Sequence, residues 1–272
     1  MNMATGRMEF YADSIQAHTN FSFVLPNDLT EQDFLGNPNY KRKTKTMILL
    51  HGFTGTDTDW IFGGMGQQIA LDYNLAVITP TTGNNFYLNR DWRGGKYADY
   101  IALELPEYLH KSFNLNIDPD DLLIGGFSMG GFGAIHSILA YPNRFSGAIA
   151  LSSALIFDDV RKMKKGDRNY LADYGYYCEV FGDVAHIEES DLNLKNLLER
   201  KIEEGKTIPS LYMAIGTEDA LLEENRAYRD FFERKLSSFK YEEGPGKHNW
   251  AFWNNYIFRG TEWILNNREK QE

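Results

Sequence analysis

A chain of 272 residues, 43% of them hydrophobic, is long enough to build one large α/β domain around a sizeable core, and we read residues 1–272 as a single domain. Its formal net charge of −10 excludes nucleic acid and anionic membranes as natural partners, because both are polyanions; a small neutral or uncharged-ester ligand remains compatible. The one cysteine, Cys178, cannot form an internal disulfide; Met1 to Phe10 has no signal-like apolar core, and no apolar run reaches the ~20 residues of a membrane span, so a cytoplasmic chain is expected.

Met8 to Ser14 and Asn20 to Leu25 alternate apolar and polar side chains, which predicts an opening antiparallel pair closed by Pro26-Asn27-Asp28. A basic run from Lys41 to Lys45 leads into the apolar strand Met47 to Leu50, which ends at His51-Gly52-Phe53-Thr54-Gly55. Trp60 to Tyr73 reads as loop and helix, Leu75 to Pro80 as the next buried strand, and Tyr97 to Phe113 as a helix. Leu122 to Phe127 is again a strand, and Met129 to Tyr141 has helical spacing until Pro142 stops it. Phe145 to Leu151, Ser210 to Gly216 and Phe239 to Glu243 complete the strands. Strands alternating with helical stretches imply βαβ units around a mostly parallel sheet, so the predicted class is α/β.

Between Ser152 and Pro209 the pattern breaks. We read residues 153–208 as a cap insertion over the strand ends, where ligand crevices of α/β sheets lie. Its aromatics, Tyr170, Tyr174, Tyr176, Tyr177 and Phe181, either shape a substrate pocket or fill the cap's own core, and the sequence favours neither. The polar run Arg161 to Arg168 reads as wet surface.

Chemistry concentrates at Gly126-Phe127-Ser128-Met129-Gly130, set between a strand and a helix. This is the context of a nucleophile elbow: the glycines let neighbouring backbone pass close, and the serine is held strained at the tip. A serine hydroxyl is a poor nucleophile at neutral pH, so Ser128 needs a histidine to take its proton and a carboxylate to orient that histidine. In this fold the chain order is serine, acid, histidine. Gly216-Thr217-Glu218-Asp219 follows a strand; Asp219 is preferred because a short side chain suits a fixed loop position, with Glu218 its adjacent competitor. Of six histidines only His248 lies beyond Asp219, in the Gly/Pro-rich loop Gly244-Pro245-Gly246-Lys247-His248-Asn249. The oxyanion donors expected are the N–H groups of Met129 and Phe53, with His51 holding the second loop structurally and His136 serving as a packing residue. No cluster has metal-ligand spacing, Asp57-Thr58-Asp59 reads as a solvated loop, and no phosphate loop or dinucleotide fingerprint is present, so neither metal nor cofactor is expected.

Taken together, His51-Gly52-Phe53-Thr54-Gly55, Glu104-Leu105-Pro106, Gly126-Phe127-Ser128-Met129-Gly130-Gly131, Gly216-Thr217-Glu218-Asp219 and Tyr241 to Trp250 resemble the esterase-D-like putative esterase family of α/β-hydrolases. That family includes S-formylglutathione hydrolases, feruloyl and acetylxylan esterases and bacterial tributyrin esterases, and the last block looks most like the tributyrin-esterase branch. The resemblance implies an α/β-hydrolase fold, a triad of Ser128, Asp219 and His248, a second oxyanion donor at Phe53, and self-association into dimers or tetramers. Phe127 stands where S-formylglutathione hydrolases commonly carry His or Cys, which ranks that activity lower. The expected function is a cofactor-free serine carboxylesterase acting on small short-chain acyl or hydroxycinnamoyl esters through an acyl-enzyme. The rivals are an S-formylglutathione hydrolase-type thioesterase, an acyltransferase using the same acyl-enzyme, and a non-catalytic scaffold.

Overall fold

In the computed structural model residues 3–91, 93–189 and 192–269 are described. Eight strands form one sheet: β1 (Ala4–Ala12), β2 (Ala17–Leu25), β3 (Lys45–Leu50), β4 (Leu75–Pro80), β5 (Leu122–Phe127), β6 (Gly147–Leu151), β7 (Ser210–Gly216) and β8 (Phe239–Gly244). Their order is β1-β2-β4-β3-β5-β6-β7-β8. The hairpin β1–β2 runs antiparallel to its neighbours and β4 through β8 are parallel, as the alternation of strand and helix patterns predicts. Strands β4, β5, β6 and β7 are buried along their whole length because helices cover both faces, so they read as continuous apolar runs; the edge strand β1 has solvent on one side and alternates.

The helices are α1 (Asp59–Phe62), α2 (Gly66–Tyr73), α3 (Tyr97–Asp99), α4 (Leu105–Phe113), α5 (Met129–Ala140), α6 (Phe157–Val160), α7 (Tyr174–Phe181), α8 (Leu194–Glu203), α9 (Leu222–Lys235) and α10 (Trp250–Glu269). A π-helical turn, Tyr100–Glu104, joins α3 to α4. Strand period two sorts the core into two halves. Ile48, Leu50, Ile124 and Ala150 face α4, α5, α8 and α9, while Met47, Leu49, Leu123 and Leu151 face α2 and α10. Helix α9 is absent from the sequence-based reading because it is mostly polar, with only Asn225, Tyr228 and Phe232 buried in a narrow stripe.

From β3 the chain moves outward to β4 and then returns across β3 to β5. That reversal opens a crevice at the carboxyl ends of β3 and β5, where the loops after Leu50 and after Phe127 stand side by side. Between β6 and β7 lie α6, α7 and α8, and the aromatics there divide. Tyr177 and Phe181 are buried in the core, whereas Tyr170 is 76% exposed.

Candidate active site

Ser128 sits at φ 56°, ψ −119°, between β5 and α5. A non-glycine residue held there costs about 1–3 kcal/mol and persists only when its surroundings impose it. Here the surroundings are backbone. Ser128 N–H donates to Leu151 O (2.9 Å), and Ser128 O accepts from Ala154 N–H (2.9 Å) and Phe132 N–H (3.1 Å). A Cβ on Gly126 would lie 2.5 Å from the Gly130 carbonyl group, and one on Gly130 would overlap Leu50 O and reach within 2.7 Å of His51 O. Both glycines of the motif are therefore points where chain crosses chain. The elbow also starts α5, so Met129 is its first residue, and the first N–H groups of a helix lack intrahelical acceptors.

The loop after β3 is pinned at several points. His51, buried, has Nδ1 2.7 Å from Gly52 O, and its Nε2 accepts from Thr82 N–H at 3.2 Å. Only the neutral imidazole with its proton on Nδ1 satisfies both, and burial lowers the His51 pKa despite the opposing hydrogen bond to Gly52. Tyr87 donates its hydroxyl to His51 O (2.8 Å), and Thr54, at φ 64°, gives its N–H to Asn84 Oδ1 (2.7 Å). These bonds flank Phe53. The loop's far end corrects the expectation of a solvated Asp57: that side chain is fully buried. Its carboxylate accepts from Arg7 Nε (2.7 Å) and Nη2 (2.9 Å), Ser22 Oγ (2.7 Å) and Thr81 Oγ1 (2.8 Å). Burial pushes this carboxyl up, but those donors together hold it below the ordinary range.

At the ends of β7 and β8 the backbones interlock. Thr217 N–H donates to Gly244 O (2.8 Å) and Glu218 N–H to Gly246 O (2.9 Å), and a Cβ on Gly216 would lie 2.5 Å from Gly246 C. This contact brings Asp219 beside His248, whose Nδ1 is 2.9 Å from Asp219 Oδ2; Leu221 N–H donates to Oδ1 at 3.0 Å. The Asp219 side chain is fully buried and the imidazole 35% exposed. Burial raises the Asp219 pKa, but the bonds from His248 and Leu221, the charge of the imidazole and the Ser152 hydroxyl outweigh it and leave the carboxyl lowered. Glu218, the competing carboxylate, is 61% exposed and faces Lys247 at 3.7 Å instead. With Nδ1–H given to Asp219, Nε2 of His248 is left as the basic nitrogen.

Ser128, Phe53, Asp219 and His248 line one cavity of about 490 Å³. No hydrogen bond joins Ser128 Oγ to the imidazole among the described residues; such bonds commonly tighten only when substrate is bound. Among the described residues no group of His, Cys, Asp and Glu could hold a metal ion. Lining residues that escaped the sequence reasoning as site residues include Ala220 and Leu221, directly after Asp219, and others from elsewhere in the chain. Tyr170, one of the undecided cap aromatics, and Leu171 come from the segment between β6 and β7, and Trp253 comes from α10. Trp253 stacks on Phe127 (4.2 Å between ring centroids) and meets His248 edge-on (5.0 Å). Its spacing of three from Trp250, which also packs on Phe127 at 4.7 Å, was the available signal for an apolar helix face behind the elbow.

Residues 12–264 match the model of a family described as putative esterase. An acetyl esterase of Caldicellulosiruptor saccharolyticus is 35% identical over 262 residues, covering 96% of this chain and 98% of that protein. Among solved structures, a substrate-bound fluorophosphonate-binding serine hydrolase of Staphylococcus aureus (FphF) superposes with a TM-score of 0.81 at 28% identity, covering 97% of this chain and 98% of the other. An S-formylglutathione hydrolase of the same organism (FrmB) gives a TM-score of 0.78 at 28% identity, covering 97% and 99%.

Proposed function

The chain belongs to the putative esterase family and is a serine carboxylesterase of the α/β-hydrolase fold, and from that premise we propose that Ser128, His248 and Asp219 are its nucleophile, base and orienting acid. Ser128 Oγ attacks the ester carbonyl carbon while His248 Nε2 takes the hydroxyl proton, and Asp219 stabilises the resulting imidazolium through Nδ1. The N–H groups of Met129 and Phe53 receive the oxyanion. The alcohol departs with the proton from His248, leaving Ser128 acylated. Water then repeats the sequence, releasing the carboxylic acid and restoring the serine. The observation that carries this reading is the 2.9 Å contact between His248 and a buried, ionised Asp219 in the cavity that also holds the strained Ser128.

The substrate we infer is a small uncharged acyl ester, acetyl or slightly longer. Apolar and aromatic side chains dominate the cavity, and among the described residues its ionisable lining groups are Asp219, His248 and Tyr170, with no lysine or arginine. A glutathione conjugate presents two carboxylates that call for cationic partners. The acetyl esterase relative supports the same choice; the S-formylglutathione hydrolase structure favours a thioester as second reading. The chain's only thiol, Cys178, suits a reducing compartment, and we place the protein in the cytoplasm.

Ser128→Ala should abolish the burst of p-nitrophenol from p-nitrophenyl acetate, with a loss of kcat on the order of 10⁵ or more and an unchanged Tm. Retained turnover rejects the assignment. Cleavage of S-formylglutathione alone, in a panel with acetyl, butyryl and feruloyl esters, rejects the substrate reading.

A further inference from the structure

We propose that Tyr176, on the cap helix α7, is a positioning residue of the ester hydrolysis: together with Asn84 it fixes the turn Gly52-Phe53-Thr54-Gly55 and so places the Phe53 N–H that receives the oxyanion. The inference rests on the reading of Phe53 as an oxyanion donor.

The turn needs outside support. Gly55 N–H donates to Gly52 O at 3.1 Å, which makes Phe53 and Thr54 its two central residues. Thr54 stands at φ 64°, where glycine or asparagine is usual and a β-branched side chain is crowded. Backbone of this kind persists only where its surroundings impose it. Here the imposing bond is Thr54 N–H to Asn84 Oδ1 at 2.7 Å, reaching across from the segment after β4. Phe53 N–H, one residue earlier, makes no hydrogen bond among the described residues and is available to a developing charge.

Asn84 is in turn held from the cap. It is exposed, and water competes for the polar groups of an exposed asparagine. Tyr176 Oη donates to Asn84 O at 2.9 Å, across 92 residues of chain. Burial pushes the Tyr176 pKa up, so the hydroxyl stays protonated and donating at every pH of an esterase assay. The same ring meets Phe53 edge-on, at 5.5 Å between centroids. Tyr176 therefore supports the turn twice, by its ring directly and by its hydroxyl through Asn84. Tyr170 lines the cavity itself, whereas Tyr176 acts on it through Phe53 and Thr54, which do.

An oxyanion donor is effective when it already stands about 2.7–3.1 Å from where the charge will form, and losing one outright costs about 10²–10³ in kcat. A loosened turn keeps the donor but misplaces it for part of the time, so the loss is smaller. Substrate binding, which precedes the oxyanion, changes little. The pair of His248 and Asp219 is untouched, so the acid limb of the rate profile stays in place.

The test pairs steady-state hydrolysis of p-nitrophenyl acetate across pH with inhibition by trifluoroacetone, to whose carbonyl carbon a serine hydroxyl adds, giving a tetrahedral oxyanion held by the same donors. Tyr176→Phe keeps the ring, removes the hydroxyl and should lower kcat about 5-fold; Asn84→Ala should lower it about 10-fold, the size of one hydrogen bond. In both, KM should stay within about 2-fold, the acid limb should not move, and the inhibition constant of trifluoroacetone should rise by the factor that kcat falls. A general loosening of the fold produces no such proportionality. In an Asn84→Ala background, Tyr176→Phe should add less than about 2-fold, because the hydroxyl acts through the Asn84 bond to Thr54. Tyr174→Phe, on the same helix, should stay near wild type. Wild-type kcat and inhibition in Tyr176→Phe and Asn84→Ala overturn the proposal while leaving Phe53 as a donor. A fall in kcat with inhibition unmoved overturns it too, because the loss then lies outside the oxyanion. A wild-type enzyme inhibited no more strongly by trifluoroacetone than by acetone overturns the oxyanion reading itself, and the role of Tyr176 with it.

Discussion

At the end of β5 Ser128, the proposed nucleophile, is held by backbone packed against backbone, while beyond the end of β8 His248 is held by side chains. Around Ser128 the contacts that matter are Gly126 on Gly130 and Gly130 on the carbonyls of Leu50 and His51, distances at which any Cβ collides. Around His248 they are a carboxylate, the edge of Trp253 and, one step further, Ser152. The first kind of support tolerates almost no substitution but needs no particular functional group. The second accepts changes of size and fails when one hydrogen-bonding atom is removed. Loss of either support thus shows in a different measurement, the first in folding and the second in kcat.

Asp219→Asn strikes the side-chain support hardest. It should lower kcat about 10⁴-fold by favouring the wrong imidazole tautomer, with Tm changed little; circular dichroism and p-nitrophenyl acetate turnover read the two separately. A variant that unfolded in proportion to its loss of rate would erase the distinction drawn here. Gly130→Ala attacks the backbone support and should destabilise by about 3 kcal/mol in urea titration, since neither Leu50 O nor His51 O is free to retreat from the new methyl. Wild-type stability in that variant would show that the close approach does not hold the elbow.

The loop bearing Phe53 lies between these extremes, and pH should resolve it with the smallest effect. The Asp57 carboxyl is held below its ordinary value in the folded chain, so the unfolded chain binds its proton first as pH falls. The stability this group contributes is complete above the unfolded carboxylate value of ~3.9 and disappears as pH drops through the folded value. Asp57→Asn should therefore lower the urea midpoint at pH 7 and flatten its decline between pH 5 and 3. An unchanged slope would deny the Arg7–Asp57 network any part in anchoring the loop.

Much of this arrangement was legible before any coordinates. β4 and β7 lie where their apolar runs predict, because strands covered on both faces carry a signal in every residue. The elbow was readable because glycine sterics act within a few positions of Ser128. The candidate acid and base were readable from chain order, and Asp219 does meet His248 while Glu218 turns to Lys247. Asp57 misled because its main partner, Arg7, lies 50 residues earlier. Trp253 and Ser152, 101 residues apart, gave no joint signal at all.

The sequence by itself determined the α/β alternation, the strained turn at Ser128 and the order of the chemically able side chains, because helix period, strand period and glycine crowding are properties of short stretches. Only the tertiary structure decided which carboxylate reaches the imidazole, which aromatics reach the cavity and which buried hydroxyl the Trp253 indole meets. Those outcomes follow from the order β3-β5-β6-β7-β8 and the register between neighbouring strands, which bring distant segments to one edge of the sheet and can be read only once the strands are paired.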